Sequence, residues 1–285
     1  MAARSVIDTY DDWASFYHRM YPTPGHGIEE ARRALAATLP DSVSPGKSAL
    51  DVGCGTGFST AALARFGYRV TGWDISIKSL ARARAMLQAM GLPAEFNRVD
   101  ILSPPRDDTG HFEFDVVIAL ASVIAHFETE GAQGRAIANL AGLVAPGGCL
   151  VLGLHDYERL LRMEPDDAIG EWTIIHQSDG EIVHARRRTW RGNPRERLHT
   201  SIYYQILDGH ELHVIETRYR AITFMEVTEV LSRAGMVDVR WLQPVSTGYY
   251  QPLCIARRPL TSERPAHDGG RRIVVHRVQR RRTPE

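Results

Sequence analysis

Three observations on this 285-residue chain predict an α/β fold built on a doubly wound, mostly parallel sheet. A short apolar run, Ser48-Ala49-Leu50, ends in Asp51-Val52-Gly53-Cys54-Gly55-Thr56-Gly57 and restarts as a helix-like stretch from Phe58 to Phe66. Strand-like and helix-like runs then alternate from 48 to 154, the pattern of a parallel sheet with helices on both faces. Phe114–Ala121 is a continuous apolar run opened by an acid, which suits a central strand buried on both faces.

Taken in order, residues 1–45 read as an N-terminal helical cap. Tyr10 to Tyr21 has the look of a helix, Pro22, Pro24, Gly25 and Gly27 make a bend, and a second helix spans about Ile28 to Thr38. Residues 46–158 form the ligand-binding core. A strand that stops in glycines lets a ligand approach the main chain, and the next helix aims its free N–H groups and positive dipole end at that ligand. The spacing is D-x-G-x-G-x-G; a dinucleotide fingerprint would need glycine where Phe58 stands. Tyr68–Asp74 reads as the second strand. An acid about 20 residues past such a turn sits where ribose hydroxyls are held, or caps the helix that follows. That helix runs from Ile75 to Met90, with Leu80, Ala83, Leu87 and Met90 near helical spacing and Gly91 as its stop. Ala94–Ile101 is the third strand, with Asp100 at its end. Ser122–Phe127 follows the fourth strand, then a helix from Gln133 to Val144, a break at Pro146-Gly147-Gly148 and a fifth strand, Cys149–Leu154.

From about Glu171 to Tyr219 the period changes to two. Trp172–Ile174 and Ile182–His184 alternate with polar residues, as do Leu198, Thr200, Ile202, Tyr204 and Ile206, and Asp208-Gly209 supplies a hairpin turn before Leu212–Val214. Residues 159–220 are therefore expected to be an antiparallel β insertion. Residues 221–258 complete the core, with a helix over Thr223–Ala234 stopped by Gly235 and a closing hairpin of Val237–Leu242 and Leu253–Arg257. Residues 259–285 are a Pro/Arg-rich tail, expected to be flexible.

Composition narrows the function classes. With 34 basic and 34 acidic residues, no global field draws the chain to nucleic acid or a membrane. No apolar run is long enough to span a bilayer, and Met1–Tyr21 lacks the basic start and apolar stretch of a secretion signal. Cys54, Cys149 and Cys254 have no metal spacing and read as small buried residues in a reducing, cytoplasmic setting.

The glycine turn resembles motif I of the Rossmann-like (class I) S-adenosylmethionine-dependent methyltransferases, which implies a seven-stranded sheet, S-adenosylmethionine as cofactor, S-adenosylhomocysteine as product, and no metal. The resemblance places Asp51, Gly53, Gly55, Gly57, Asp74, Ile75 and Ala119 around the cofactor. It gives the adenine amine to Asp100 and the adenine ring to Ile101. Phe114–Phe127 and Leu150–Glu158 further resemble the glycine and sarcosine N-methyltransferases and their amino-sugar relatives. In those enzymes a histidine matched by His126 lies beside the transferred methyl, which implies a general base; read alone, the residue could equally cap its loop. Tyr10, Tyr17 and Tyr21 would close over the cofactor, or simply pack their helix. Tyr21, Ser122, His155 and Tyr157 are the expected acceptor contacts.

Two departures matter. The glycine enzymes carry Asn where this chain has Ser122, and where it has His155 they carry the Arg that grips the substrate carboxylate. The resemblance thus implies methyl transfer to a small-molecule acceptor, first of all an amine nitrogen. Methylation of a small hydroxyl, or cofactor binding without catalysis, are the alternatives. The insertion is expected to lid the acceptor pocket and to contribute to a homodimer, since it exposes strand edges and apolar alternate faces.

Overall fold

Ser5 accepts a hydrogen bond from the Asp8 N–H and so starts the first helix, α1 (Val6–Trp13), four residues before the sequence pattern predicts. A separate 3₁₀ turn, Tyr17–Met20, takes up the rest of the expected helix. The computed structural model describes residues 5–21, 23–39, 46–105, 112–162, 169–177, 180–191, 194–207 and 210–260. The Asp208-Gly209 turn and the tail from 261 lie outside these residues.

Helix α2 (Pro24–Thr38) uses Pro24 at its first turn, where no N–H is required. The core then runs β1 (Ser48–Val52), α3 (Phe58–Arg65), β2 (Arg69–Asp74), α4 (Ile77–Ala89), β3 (Ala94–Arg98), β4 (Phe114–Ala119), α5 (Glu130–Gly142) and β5 (Val144–Gly153). Helix α5 begins earlier than its apolar pattern because Thr129 caps it through the Ala132 N–H. It ends at Gly142, and β5 already includes Pro146-Gly147-Gly148, which falls at an irregularity in the pairing of β5 with β4 instead of breaking a helix. A short α6 (Tyr157–Leu160) leads to the insertion strands β6 (Ile169–Gln177), β7 (Gly180–Arg191), β8 (Leu198–Leu207) and β9 (His210–Arg220). Helix α7 (Phe224–Arg233) carries a full capping box between Thr223 and Glu226. Strand β10 (Val237–Leu242), the short α8 (Pro244–Thr247) and β11 (Leu253–Arg257) close the chain.

The main sheet has seven strands in the order β10-β11-β5-β4-β1-β2-β3. Strands β1 to β5 pair in parallel, and β11 is antiparallel to both β5 and β10. The order reverses between β1 and β4, so the carboxyl ends of these two strands flank the crevice where ligands bind in open α/β sheets. One apolar layer, with Leu80, Ala83 and Leu87 of α4 and Leu35 of α2, covers one face; another, with Ile137 and Leu140 of α5 and Leu231 of α7, covers the other. The insertion is a separate four-stranded antiparallel sheet, β6-β7-β8-β9. It meets α1 through Trp13, Phe16 and Ile215, and the Thr9 hydroxyl donates to the Glu216 carbonyl.

Candidate active site

A cavity of about 530 Å³ opens at the carboxyl ends of β1, β2 and β4 under α1 and α2. Its floor is the glycine turn. Gly53, Gly55 and Gly57 all have positive φ (67°, 51° and 94°), a conformation that penalises any side chain. Their surroundings separate their roles. A Cβ at Gly55 would meet nothing within 4 Å, so the backbone there is open to a ligand. A Cβ at Gly57 would lie 3.0 Å from the Ala83 Cβ, so Gly57 serves close packing of α3 on α4.

Asp74 ends β2 at the cavity wall. One carboxylate oxygen accepts from the Gly55 N–H at 2.8 Å, the other from the Ser76 N–H at 2.8 Å. A carboxylate has about four acceptor sites, so half remain for a ligand's hydroxyls. Burial raises its pKa, against the pull of those backbone N–H groups. Asp51 lies behind the turn. It accepts from Ser59 and Thr60 hydroxyls, both at 2.7 Å, is 1 % exposed, and burial pushes its pKa up to about 6. It holds the first turn of α3 and does not line the cavity.

The rest of the expected cofactor set divides in the same way. Ile75 and Asp100 line the cavity, and Asp100 turns the chain by accepting from the Leu102 N–H. Ile101 and Ala119 are buried in the core; Val99 and Leu102, Leu120 and Ala121 are the neighbours that face the cavity.

His126 sits at the end of a 3₁₀ turn, Val123–His126. That turn starts from two left-handed residues in succession, Ala121 (φ 54°) and Ser122 (φ 63°). Such backbone costs on the order of 1–3 kcal/mol per residue and persists only where its surroundings hold it. Ser122 does the holding: its hydroxyl accepts from the His155 N–H at 2.9 Å and the Gln251 amide at 3.0 Å, and its own N–H donates to the Gly153 carbonyl. His126 Nε2 lies 2.8 Å from the Tyr10 hydroxyl, and its ring lies 4.5 Å from that of Tyr219. Burial lowers its pKa to about 4, against the pull of the Arg218 backbone. The imidazole is therefore neutral at physiological pH. Burial likewise raises the Tyr10 phenol well above its ordinary value.

Tyr10, Tyr17 and Tyr21 all face the cavity, with Trp13, Phe58, Tyr249 and Tyr250. Asp11 fastens this aromatic lid: its carboxylate accepts from the Ser76 hydroxyl at 2.6 Å and the Lys78 N–H at 3.2 Å, tying α1 to the start of α4. Glu30 also lines the cavity, half-buried, its pKa raised by burial. Asp11, Glu30, Tyr249 and Tyr250 carry no local motif and are legible only in the fold. Ser122, His155 and Tyr157 lie in a second layer outside the cavity lining. There His155 Nδ1 is 3.1 Å from the Gln251 amide, and the Tyr157 hydroxyl is 3.3 Å from His199 Nε2.

The family of methyltransferase domains matches residues 49–148. Among curated relatives, nodulation protein S of Sinorhizobium fredii is 30% identical over 167 residues, covering 59% of this chain and 74% of that protein. The ubiquinone biosynthesis O-methyltransferase of Bordetella avium is 31% identical over 125 residues, 44% of this chain and 49% of its own. The glycine/sarcosine N-methyltransferase of Parasynechococcus marenigrum is 33% identical over 136 residues, 48% of each chain. The chain thus spans about half the length of these last two relatives. Among solved structures, that of CalS10, an amino pentose methyltransferase from Micromonospora echinaspora, superimposes over 90% of this chain and 92% of its own with a TM-score of 0.61 at 21% identity. That likeness is one of fold.

Proposed function

The chain belongs to the class I S-adenosylmethionine-dependent methyltransferases, and from that premise we propose that it transfers a methyl group to the amine nitrogen of a small-molecule acceptor. The carrying observation is the neutral, buried imidazole of His126 at the cavity wall, hydrogen-bonded to Tyr10.

The cavity suits the cofactor. Its volume is in the range of small-molecule sites. Gly55 offers open backbone, Asp74 keeps acceptor sites for ribose hydroxyls, and Asp100 with Val99 and Leu102 forms the adenine end. When bound, S-adenosylmethionine supplies a methyl already activated as a sulfonium. The protein's own task is to orient a lone pair and manage one proton. Positioning of this kind is worth up to about 7–11 kcal/mol.

The low basicity of His126 favours nitrogen over oxygen. A hydroxyl of pKa about 10 must give up its proton as it attacks, and a base of pKa about 4 lies six units away, about 8 kcal/mol uphill. A neutral amine attacks with its own lone pair. It needs only an acceptor for its N–H that points the lone pair at the methyl, and the imidazole nitrogen or the Tyr10 oxygen serves. After transfer the product carries the extra proton as an ammonium, which leaves the site with it and exchanges with water, so His126 need not become charged at any step. O-methylation is the second reading, supported by the O-methyltransferase relative.

A screen with methyl-labelled cofactor against amino acids, amino sugars and phenols tests the proposal. Label on amines alone supports it; label on phenols alone replaces it with the second reading. Absence of transfer to any class, with intact cofactor binding, favours a non-catalytic cofactor-binding protein.

A further inference from the structure

One face of the insertion sheet carries chemistry that the methyl-transfer step leaves unused. The register sets Arg186, Tyr203 and Ile215 in one row across β7, β8 and β9; Arg188, Ser201 and Thr217 in the next; and Trp190, His199 and Tyr219 in the third. Residues directly opposite in antiparallel strands share a face. That face is turned inward: His199, Ser201, Thr217 and Tyr219 are 0–4 % exposed. A guanidinium in the middle row is therefore held among buried side chains.

Among the described residues, Arg188 has no anionic partner. The described residues of these rows contain no carboxylate, and its Nε is buried without a hydrogen-bond partner. Other arginines around the insertion are paired: Arg197 with Glu226, Arg218 with Glu128 and Arg220 with Glu130. The same face holds further buried, unpartnered polar atoms: His199 Nδ1 and Thr217 Oγ1 in the row of Arg188 or the adjacent one, and both amide atoms of Gln205 two rows further along β8. Its charge is felt by its neighbours: Arg186 and Arg188 add to burial in lowering the pKa of His155 and of His199, the latter to about 3. Arg188 is half-buried, with its Nε shielded from water. A partly buried cation without a counter-charge is unfavourable, and a bound anion is one way in which such groups are satisfied.

The face also adjoins the reaction centre. The Tyr219 ring stacks on His199 at 5.2 Å and lies 4.5 Å from that of His126, and the Tyr219 hydroxyl is 3.3 Å from that of Tyr203. The row that contains Tyr219 is the next one along the sheet from the row that contains Arg188.

We propose that this face anchors the acceptor: Arg188, with Arg186 beside it, receives a carboxylate or phosphate of the molecule whose amine is presented at Tyr10 and His126. This rests on the amine-methylation reading and adds the acceptor's charge class to it. A guanidinium binds either group through two parallel N–H donors. The anion's anchor comes from the insertion sheet, not from the loop after β5, where His155 stands.

The test uses the full chain saturated with S-adenosylhomocysteine. Its thermal midpoint is followed with inorganic phosphate, glycine or O-phosphoethanolamine against sodium chloride of matched ionic strength, in wild type and Arg188→Gln. The expected result is a midpoint raised by at least one anionic probe in wild type and unmoved in the variant. The ligand-free variant should be at least as stable as wild type. Equal shifts in both proteins, or none in either, overturn the proposal. Arg188→Lys, which keeps the charge, serves if the glutamine variant does not fold; it must retain a shift with phosphate.

Methyl transfer supplies a second arm, with glycine against glycinamide and O-phosphoethanolamine against ethanolamine. KM for the anionic member should rise about ten- to hundredfold in the variant, the loss of a charge-assisted pair, with the neutral member unchanged. Wild type that prefers the neutral members also overturns the proposal. If no amine is methylated, the functional reading fails while the thermal arm still decides whether Arg188 binds an anion.

Discussion

The two halves of this site are built by different means. On the cofactor side, a few consecutive residues suffice: the turn between β1 and α3 presents bare backbone, and Asp74 completes it from the neighbouring strand with its carboxylate already fixed by the Gly55 and Ser76 N–H groups. On the side proposed for the acceptor, nothing is consecutive. His126 comes from a strained turn after β4, Tyr10 from α1, Gln251 from the chain before β11, and Arg188, His199 and Tyr219 from three strands of the insertion. The first half uses buried acids whose pKa is raised, the second buried imidazoles whose pKa is lowered. A cofactor common to a whole family is met by a compact, local device, while the acceptor's pocket is spread over elements that can vary separately.

The contrast breaks first at Asp74. Asp74→Ala removes the carboxylate proposed for the ribose, at about 1.5–3 kcal/mol for each of two charge-assisted bonds. Affinity for S-adenosylhomocysteine is expected to fall about 10²–10⁴-fold by calorimetry. A loss of less than threefold would move the ribose elsewhere in the cavity.

Next in size is His126→Asn. Since we propose that this side chain serves the acceptor, cofactor affinity should stay within about threefold, while single-turnover transfer falls about 10²-fold, the scale of a misplaced reacting group. With a pKa of about 4, His126 titrates below the range of the assay. Wild type and variant should therefore show parallel pH profiles from about pH 6 to 9. A limb near pH 6.5 present only in wild type would mean that the imidazole is far more basic than its burial implies.

How much of this was legible in the sequence follows the same division. The glycine turn, Asp74 and the strand alternation were readable because each is a local rule: backbone freedom, strand period, an acid at a fixed separation. His126 was found through the resemblance of Phe114–Phe127 and not through any pattern of its own. Within the turn, sequence could not separate Gly55, which faces open space, from Gly57, which meets Ala83. For Ile101 and Ala119, the side chain facing the cavity belongs to a neighbour, because strand alternation ceases to govern direction where the strand gives way to a loop. Strand β3 ends at Arg98, so Asp100 and Ile101 already lie in the turn beyond it, and Ala119 is the last residue of β4. Arg188 was unreadable, since its meaning depends on burial and on the absence of a carboxylate across two strand pairings. Helix starts shifted where caps outrank apolar spacing, at Ser5 and Thr129.

The third prediction sets the halves against each other through pH. His126, His155 and His199 are held neutral in the fold and gain protons on unfolding below about pH 6.5, so each subtracts stability as pH falls, about 1.4 kcal/mol per unit. Asp51 and Asp74 have raised pKa values and act oppositely, since the folded state keeps their protons first. Glu30 adds to the acids and His213 to the imidazoles. The imidazoles begin to lose ground at about pH 6.5, before Asp51 titrates at about 6, so the net effect on leaving neutrality is a loss of stability. Urea midpoints at about pH 7, 6 and 5 should fall in that order, and amide exchange should rise in β8 and β9 before β1. Stability that is flat or rising toward pH 5 would show that the imidazoles are not held neutral.

The smallest effect sharpens the comparison most, because it concerns an acid that the resemblance places at the cofactor and the structure places behind it. Asp51→Asn keeps one oxygen able to accept from Ser59 and Thr60 and removes a charge whose burial is unfavourable at neutral pH. At pH 7 the loss of one well-placed acceptor and the relief of that charge nearly offset each other, so stability should change by about 1 kcal/mol or less. As pH falls below about 6, wild type gains relative to the variant, because its folded state takes up a proton that its unfolded state does not bind until about pH 3.8. The difference should widen by about 1.4 kcal/mol per unit. Cofactor affinity should stay within about threefold throughout, since Asp51 acts by holding α3 and does not line the cavity. Calorimetry and urea unfolding on the same variant separate the two roles. A large loss of affinity with unchanged stability would return Asp51 to the cofactor, and the acid after β1 would then be a ligand like the acid after β2.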